Sequence, residues 1–188
     1  MRIPLQPVAP SIDDPIELLL ACHDKVRHFA NLAQRLRDHL NKLPEAAPVD
    51  TPAQEAAQAI LRYFTVAAPL HHADEEIDLF PALRLVGTPE LRAHVDTLTA
   101  EHSELGGLWQ NLQTWLQDIA KGHAHRPPDC VDDFALRYSA HAQREEDEVY
   151  PSATHISVGQ LKRISQAMVK RRTGQTHSPH PPKAPLGE

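Results

Sequence analysis

Two stretches of this chain carry the same chemical pattern. The first is His71-His72-Ala73-Asp74-Glu75-Glu76-Ile77-Asp78-Leu79-Phe80-Pro81, the second His141-Ala142-Gln143-Arg144-Glu145-Glu146-Asp147-Glu148-Val149-Tyr150-Pro151. Each places a His, two Glu and a closing Pro at the same offsets, with an aromatic residue just before the Pro. On a helix, residues four apart stand one above the other. His71 with Glu75, and His141 with Glu145, therefore each offer an imidazole nitrogen and a carboxylate to one point in space, as a metal ion requires. One copy is weak evidence, because His and Glu are ordinary helix-surface residues. A solvated charged face does not account for two copies in register.

Two further histidines complete the pattern. His23 in Leu20-Ala21-Cys22-His23 and His102 in Thr99-Ala100-Glu101-His102 each follow an Ala two residues earlier. The chain thus reads as an internal repeat: His23 then His71/Glu75, and again His102 then His141/Glu145. Together they supply four imidazoles and two carboxylates, enough for two ions with both carboxylates bridging. Imidazole and carboxylate without thiolate suit iron, manganese or zinc and disfavour calcium. A structural zinc site is closed by four ligands, whereas this set leaves coordination positions for solvent oxygen or a small molecule. It is richer in nitrogen than the Glu-based di-iron sites of ferritin-like bundles, which favours the ferrous state and small-molecule binding over ferroxidase turnover. His72, Glu76 and Glu146 either replace an assigned ligand or orient an imidazole from behind; the shared His-to-Pro offset favours His71 over His72. Cys22 reads as a buried inert thiol, Phe80 and Tyr150 as core or end-cap residues, and His28 and His39 as lying off the metal.

Helices must position these groups, and the apolar periodicity supplies them. Ser11, Asp13, Asp14 and Pro15 open a helix whose Leu18, Leu19, Val26, Phe29, Leu32, Leu36 and Leu40 form one face. A second starts with Thr51 as N-cap, runs through the first motif with a kink or local break expected at Pro69, and closes at Gly87. A third runs from Thr88-Pro89-Glu90 to about Lys121, and a fourth, from about Asp129 to Tyr150, carries the second motif. A short basic helix spans 160–172. No segment alternates with period two, so the fold expected is an all-α antiparallel four-helix bundle. The bundle with its short helix spans 11–172, preceded by an extended Pro-spaced segment over 1–10 and followed by a disordered Pro/His tail over 173–188.

At 188 residues the chain forms one domain with a real core. A net charge of −6 with interspersed signs points away from nucleic acid. No apolar run reaches a membrane span and no signal peptide is apparent. Cys22 and Cys130 have no framework spacing, which fits a reducing cytoplasm.

His23, the segment HHADEEIDLFP, the pair Glu101-His102 and the segment HAQREEDEVYP resemble the hemerythrin-like (HHE cation-binding) domains over roughly 12–151. The resemblance implies a four-helix bundle around two non-haem iron ions, oxo- or hydroxo-bridged, for which zinc or manganese can substitute. By position it implies His23, His71, Glu75, His102, His141 and Glu145 as metal ligands. Members bind dioxygen or take part in oxygen, nitric oxide, peroxide or iron sensing and defence. Oxygen-carrying hemerythrins use a fifth His one turn before the helix-three ligand and a final Asp; here those positions are Leu98 and Glu145. Two imidazoles per ion would leave both ions open, which favours sensing, nitric oxide binding or peroxide chemistry over reversible oxygen carriage. The function expected is binding of a small diatomic or oxidant for sensing, storage or stress defence. The alternatives are a peroxide- or nitric oxide-consuming di-iron enzyme and a metal-responsive interaction module. No general base, nucleophile or protein partner is legible.

Overall fold

The computed structural model describes residues 14–44, 47–123 and 126–174. The expected extended segment over 1–10, the start of the first helix at Ser11 and positions 175–188 of the expected tail lie outside the described residues, while Thr173 and Gly174, expected in the tail, end the last helix. The elements are α1 (Pro15–Leu40), α2 (Thr51–Arg62), α3 (Ala68–Asp74), α4 (Phe80–Val86), α5 (Pro89–Ala120), α6 (Val131–Arg144) and α7 (Val158–Gly174). Helices α2, α3 and α4 form one continuous rod through the π-turns Tyr63–Ala67 and Glu75–Leu79. Helix α6 continues through the π-turn Glu145–Val149 into the 3₁₀ turn Tyr150–His155. No strand occurs among the described residues.

Local chemistry sets the ends. The Asp14 carboxylate accepts from the Ile16 and Glu17 amides and caps α1. The second rod is capped by Asp50, not by the expected Thr51: its carboxylate accepts from the Ala53 amide at 2.9 Å. Asp is the stronger cap, and its extended backbone leaves Thr51 and Pro52 as the first helical residues. Thr88 caps α5 through the Leu91 amide. Gly87 sits where a Cβ would come within 2.8 Å of the Leu83 carbonyl oxygen, so the tight passage from α4 to α5 needs glycine.

Prolines account for the wide turns. Each π-turn ends two residues before a proline: Ala67 before Pro69, Leu79 before Pro81, Val149 before Pro151. A proline inside a helix has no N–H for the carbonyl four residues back, and its ring presses on that carbonyl. Widening the preceding turn relieves the clash without ending the rod: the amides of Ala68, Phe80 and Tyr150 donate to the carbonyls of Tyr63, Glu75 and Glu145. The break expected at Pro69 is therefore a π-turn within an unbroken rod.

Helix α1 packs on α2 and α6, and α5 packs on α2 and α6, which closes an antiparallel four-helix bundle. Helix α7 lies against α1 and α3. It is pinned by Arg171 and Arg172 on the fully buried Asp74, with Arg171 also on Asp78. The apolar interior is in two parts. One, with Val26, Ala68, Leu105 and Tyr138, fills one end; the other, with Leu19, Leu79, Leu98 and Val149, fills the opposite end. Every rod passes from one part to the other, and between them lies a layer of buried polar side chains.

Candidate metal centre

That layer holds all six residues expected as ligands. His23 lies between Leu19 and Val26, His102 between Leu98 and Leu105, and the two motifs lie between Ala68 and Leu79 and between Tyr138 and Val149. All six are buried, and Glu75 and Glu145 have no exposed surface at all. Carboxylates so placed are costly unless a positive charge or a full set of hydrogen bonds compensates them.

The donor atoms form two adjoining groups. In one, His23, His71, Glu75 and Glu145 each offer an atom within 4.8 Å of the others; in the second, His72, His102 and His141 do the same. His23 Nε2 is 3.1 Å from His71 Nε2 and 3.0 Å from Glu145 Oε2. His141 Nε2 is 3.1 Å from Glu145 Oε1, and His102 Nε2 is 3.6 Å from that oxygen. Glu145 thus turns one oxygen to each group. Glu75 Oε2 is 3.6 Å from both His71 Nε2 and His102 Nε2, so it too stands between them.

The backs of the rings fix which nitrogen carries the proton. His23 Nδ1 donates to Glu146 at 2.8 Å, His102 Nδ1 to Glu76 at 2.6 Å and His141 Nδ1 to Glu101 at 3.1 Å. Arg27 holds Glu146 and Arg144 holds Glu101 in turn. With Nδ1 protonated toward a carboxylate, each neutral ring presents the Nε2 lone pair to the interior, the tautomer that metal-ligating histidines use.

His23 Nε2 and His71 Nε2 face one another at 3.1 Å, but several other interior atoms have no hydrogen-bond partner. Glu75 Oε2, both oxygens of Glu145, and Nε2 of His102 and His141 are buried without a hydrogen bond. Each such atom costs about 1–3 kcal/mol, and here they converge, lone pair toward lone pair. The ionisation behaviour reflects the same crowding. Burial, with the neighbouring Glu145, pushes the Glu75 carboxyl well above the usual range. Burial alone would raise Glu145 too, but His102, His141 and His23 hold it well below. Burial and His23 keep His71 neutral by pushing it well down. For His141, burial is outweighed by Glu145 and Glu101, and the ring is raised. A donor set of imidazoles and carboxylates whose unpaired atoms point at two common centres fits a pair of cations.

The six residues picked out by spacing meet in one buried layer, but spacing did not give their setting. The His-to-Pro offset favours His71 over His72; the structure brings both to the centre, on different sides. The His72 ring stacks on His102 at 3.9 Å, and burial with His102 pushes it down to about 3. The second side therefore has three imidazoles within reach, not the two expected. Glu76 and Glu146 take the orienting role, whereas Glu101 serves His141 across helices, where no offset in the chain could reveal it. Tyr150, expected as core, donates its hydroxyl to Glu75 Oε1 at 2.6 Å; the sign in the sequence was a polar tip where the other copy has Phe80. Away from the centre, His39 pairs with Asp50, His94 with Glu148, and His28 packs on Phe29. Cys22, expected as buried, is half-buried; burial pushes its thiol up in spite of the neighbouring Arg172.

Comparison with known proteins agrees with this geometry. The profile of the hemerythrin HHE cation-binding domain matches residues 14–153. An uncharacterized protein of Haemophilus influenzae is 32% identical over 161 residues, covering 85% of this chain and 91% of that protein. The two motifs, the bundle that carries them and the convergent ligand layer agree with the profile match: the chain belongs to the hemerythrin HHE cation-binding family.

Proposed function

We propose that the chain holds two non-haem iron ions and uses them to bind a small diatomic molecule or oxidant (dioxygen, nitric oxide or peroxide) for sensing, storage or stress defence. The observation that carries this reading is the convergence of unpaired imidazole and carboxylate atoms on two adjoining points in a buried layer between the two apolar parts. His23 and His71 would hold one ion, His102 and His141 the other, with His72 beside the second and Glu75 and Glu145 between both. Zinc or manganese fits the same donors. When bound, iron supplies open coordination positions and one-electron chemistry.

The chain's own residues set the conditions. Glu146, Glu76 and Glu101 hold three imidazoles in register, so little reorganisation is needed on loading. Leu19, Leu79, Leu98 and Val149 on one side, and Val26, Leu105 and Tyr138 on the other, exclude bulk water. Among the described residues no helix is long and apolar enough to cross a membrane. Cys22 and Cys130 are free thiols, in keeping with a reducing cytoplasm.

The test is anaerobic loading with ferrous iron, a metal count, and the optical spectrum on admitting air or nitric oxide. Two irons per chain and a spectrum that changes with the gas support the reading. A folded helical protein with less than one tightly held metal ends it.

A further inference from the structure

The two motif copies agree at the His, at both Glu and at the Pro, and differ at two positions that reach the centre: His72 against Ala142, and Phe80 against Tyr150. The second difference is confined to one atom. Phe80 lies parallel to His102, with ring centres 6.1 Å apart and planes 10° apart. Tyr150 lies parallel to His23, at 5.3 Å and 12°. The rings take equivalent places on equivalent imidazoles, so at this offset what distinguishes the sides is the Tyr150 hydroxyl.

Its oxygen is held at 2.6 Å from Glu75 Oε1 and 3.1 Å from His23 Nε2. Ligand atoms bound at about 2.1 Å to one ion stand about 3 Å apart when adjacent. The oxygen therefore sits at the rim of the coordination shell that His23 and His71 define. On the opposite side His102 carries the parallel Phe80 ring, with no hydroxyl, and is also stacked by the His72 ring at 3.9 Å. A phenol O–H can rotate its proton from Glu75 toward another acceptor while its oxygen stays in place.

We propose that Tyr150 is a specificity-determining residue of the centre, its hydroxyl donating a hydrogen bond to the small molecule taken up on the His23/His71 side. This rests on the function proposed above. It selects for molecules whose outer atom accepts a hydrogen bond once bound, such as dioxygen or nitric oxide, over carbon monoxide, a poor acceptor. It also makes uptake one-sided, because Phe80 offers no donor on the other side.

The experiment uses the full chain loaded with ferrous iron, with nitric oxide as probe. In the unmodified protein the N–O stretch should shift on exchange into heavy water. The Tyr150→Phe variant should keep two irons, lose that shift, and release nitric oxide about five- to tenfold faster, as expected for one lost hydrogen bond. Nitric oxide bound with no heavy-water shift in the unmodified protein overturns the role of Tyr150 without any substitution. So does a Tyr150→Phe variant with unaltered iron content and release rate. A ferric–phenolate absorption band that Tyr150→Phe abolishes overturns it as well, since Tyr150 would then be a ligand. Two irons that take up no nitric oxide overturn the parent reading, and this inference with it.

Discussion

The two motif copies present one design with two finishes. Each puts a His and a Glu on the inner face of a rod, ends in a π-turn before a proline, and sets a second Glu behind an imidazole of another helix. Those shared features build the ligand layer. The differences sit around it: the first copy adds His72 next to the His102/His141 side, and the second adds a hydroxyl, through Tyr150, next to the His23/His71 side. The carboxylates differ as well. Glu145 reaches both sides with its two oxygens, whereas Glu75 gives one oxygen to the interior and the other to Tyr150. Repetition brings two adjoining groups of donors together, and divergence at two offsets gives the two groups different surroundings.

That comparison can be broken most completely at Glu145. Glu145→Ala should drop iron content from two per chain to below one, measured after gel filtration, because both groups lose a shared donor. Retention of two irons would mean that Glu145 is not shared. The next effect is at the outer carboxylates. Glu76→Gln and Glu101→Gln should each weaken metal binding about 10- to 100-fold in competition with a chelator. Arg144 also depends on Glu101, so that variant should be the weaker of the two. Binding no weaker than in the unmodified protein would show that these contacts do not orient the rings.

pH sharpens the contrast between ligands. Glu75 and His141 both hold their protons to higher pH than usual, the first through burial and Glu145, the second through Glu145 and Glu101 in spite of burial. Metal must displace those protons, so apparent affinity should rise with pH and fall as the medium is acidified. His71, pushed well down by burial, contributes no proton. Calorimetry in buffers of different ionisation enthalpy should show proton release that shrinks toward alkaline pH; affinity independent of pH would contradict the assignment. The smallest effect is at His72. His72→Phe keeps the ring on His102 but removes the nitrogen. It should weaken one of two binding steps about tenfold and leave the other, as read by stepwise iron titration. Equal weakening of both steps would deny His72 a side.

Much of this was legible in the sequence for a plain reason: a His and a Glu four apart on a helix share a face, and two such pairs in register imply a common target. The bundle followed from apolar periodicity. What the sequence does not display depends on contacts between distant parts of the chain. Nothing near Glu101 shows that it will sit behind His141, and nothing near Asp74 shows that Arg171 and Arg172 will cover it. Pro69 marked a disturbance correctly but not its form, because a π-turn costs less than a break once both flanking segments pack in the same bundle. Asp50 displaced Thr51 as cap because adjacent capping residues compete and the carboxylate is the stronger acceptor. The offset that places the Tyr150 ring does not reveal what its hydroxyl will meet.

The most direct measurement is the Mössbauer spectrum of the full chain loaded anaerobically with isotopically enriched ferrous iron. Two ferrous quadrupole doublets of equal area are expected, one for the ion beside His72 and one for the ion beside Tyr150. A single doublet from two irons would contradict the inequivalence of the two sides, and a signal from one iron or fewer would contradict the paired centre itself.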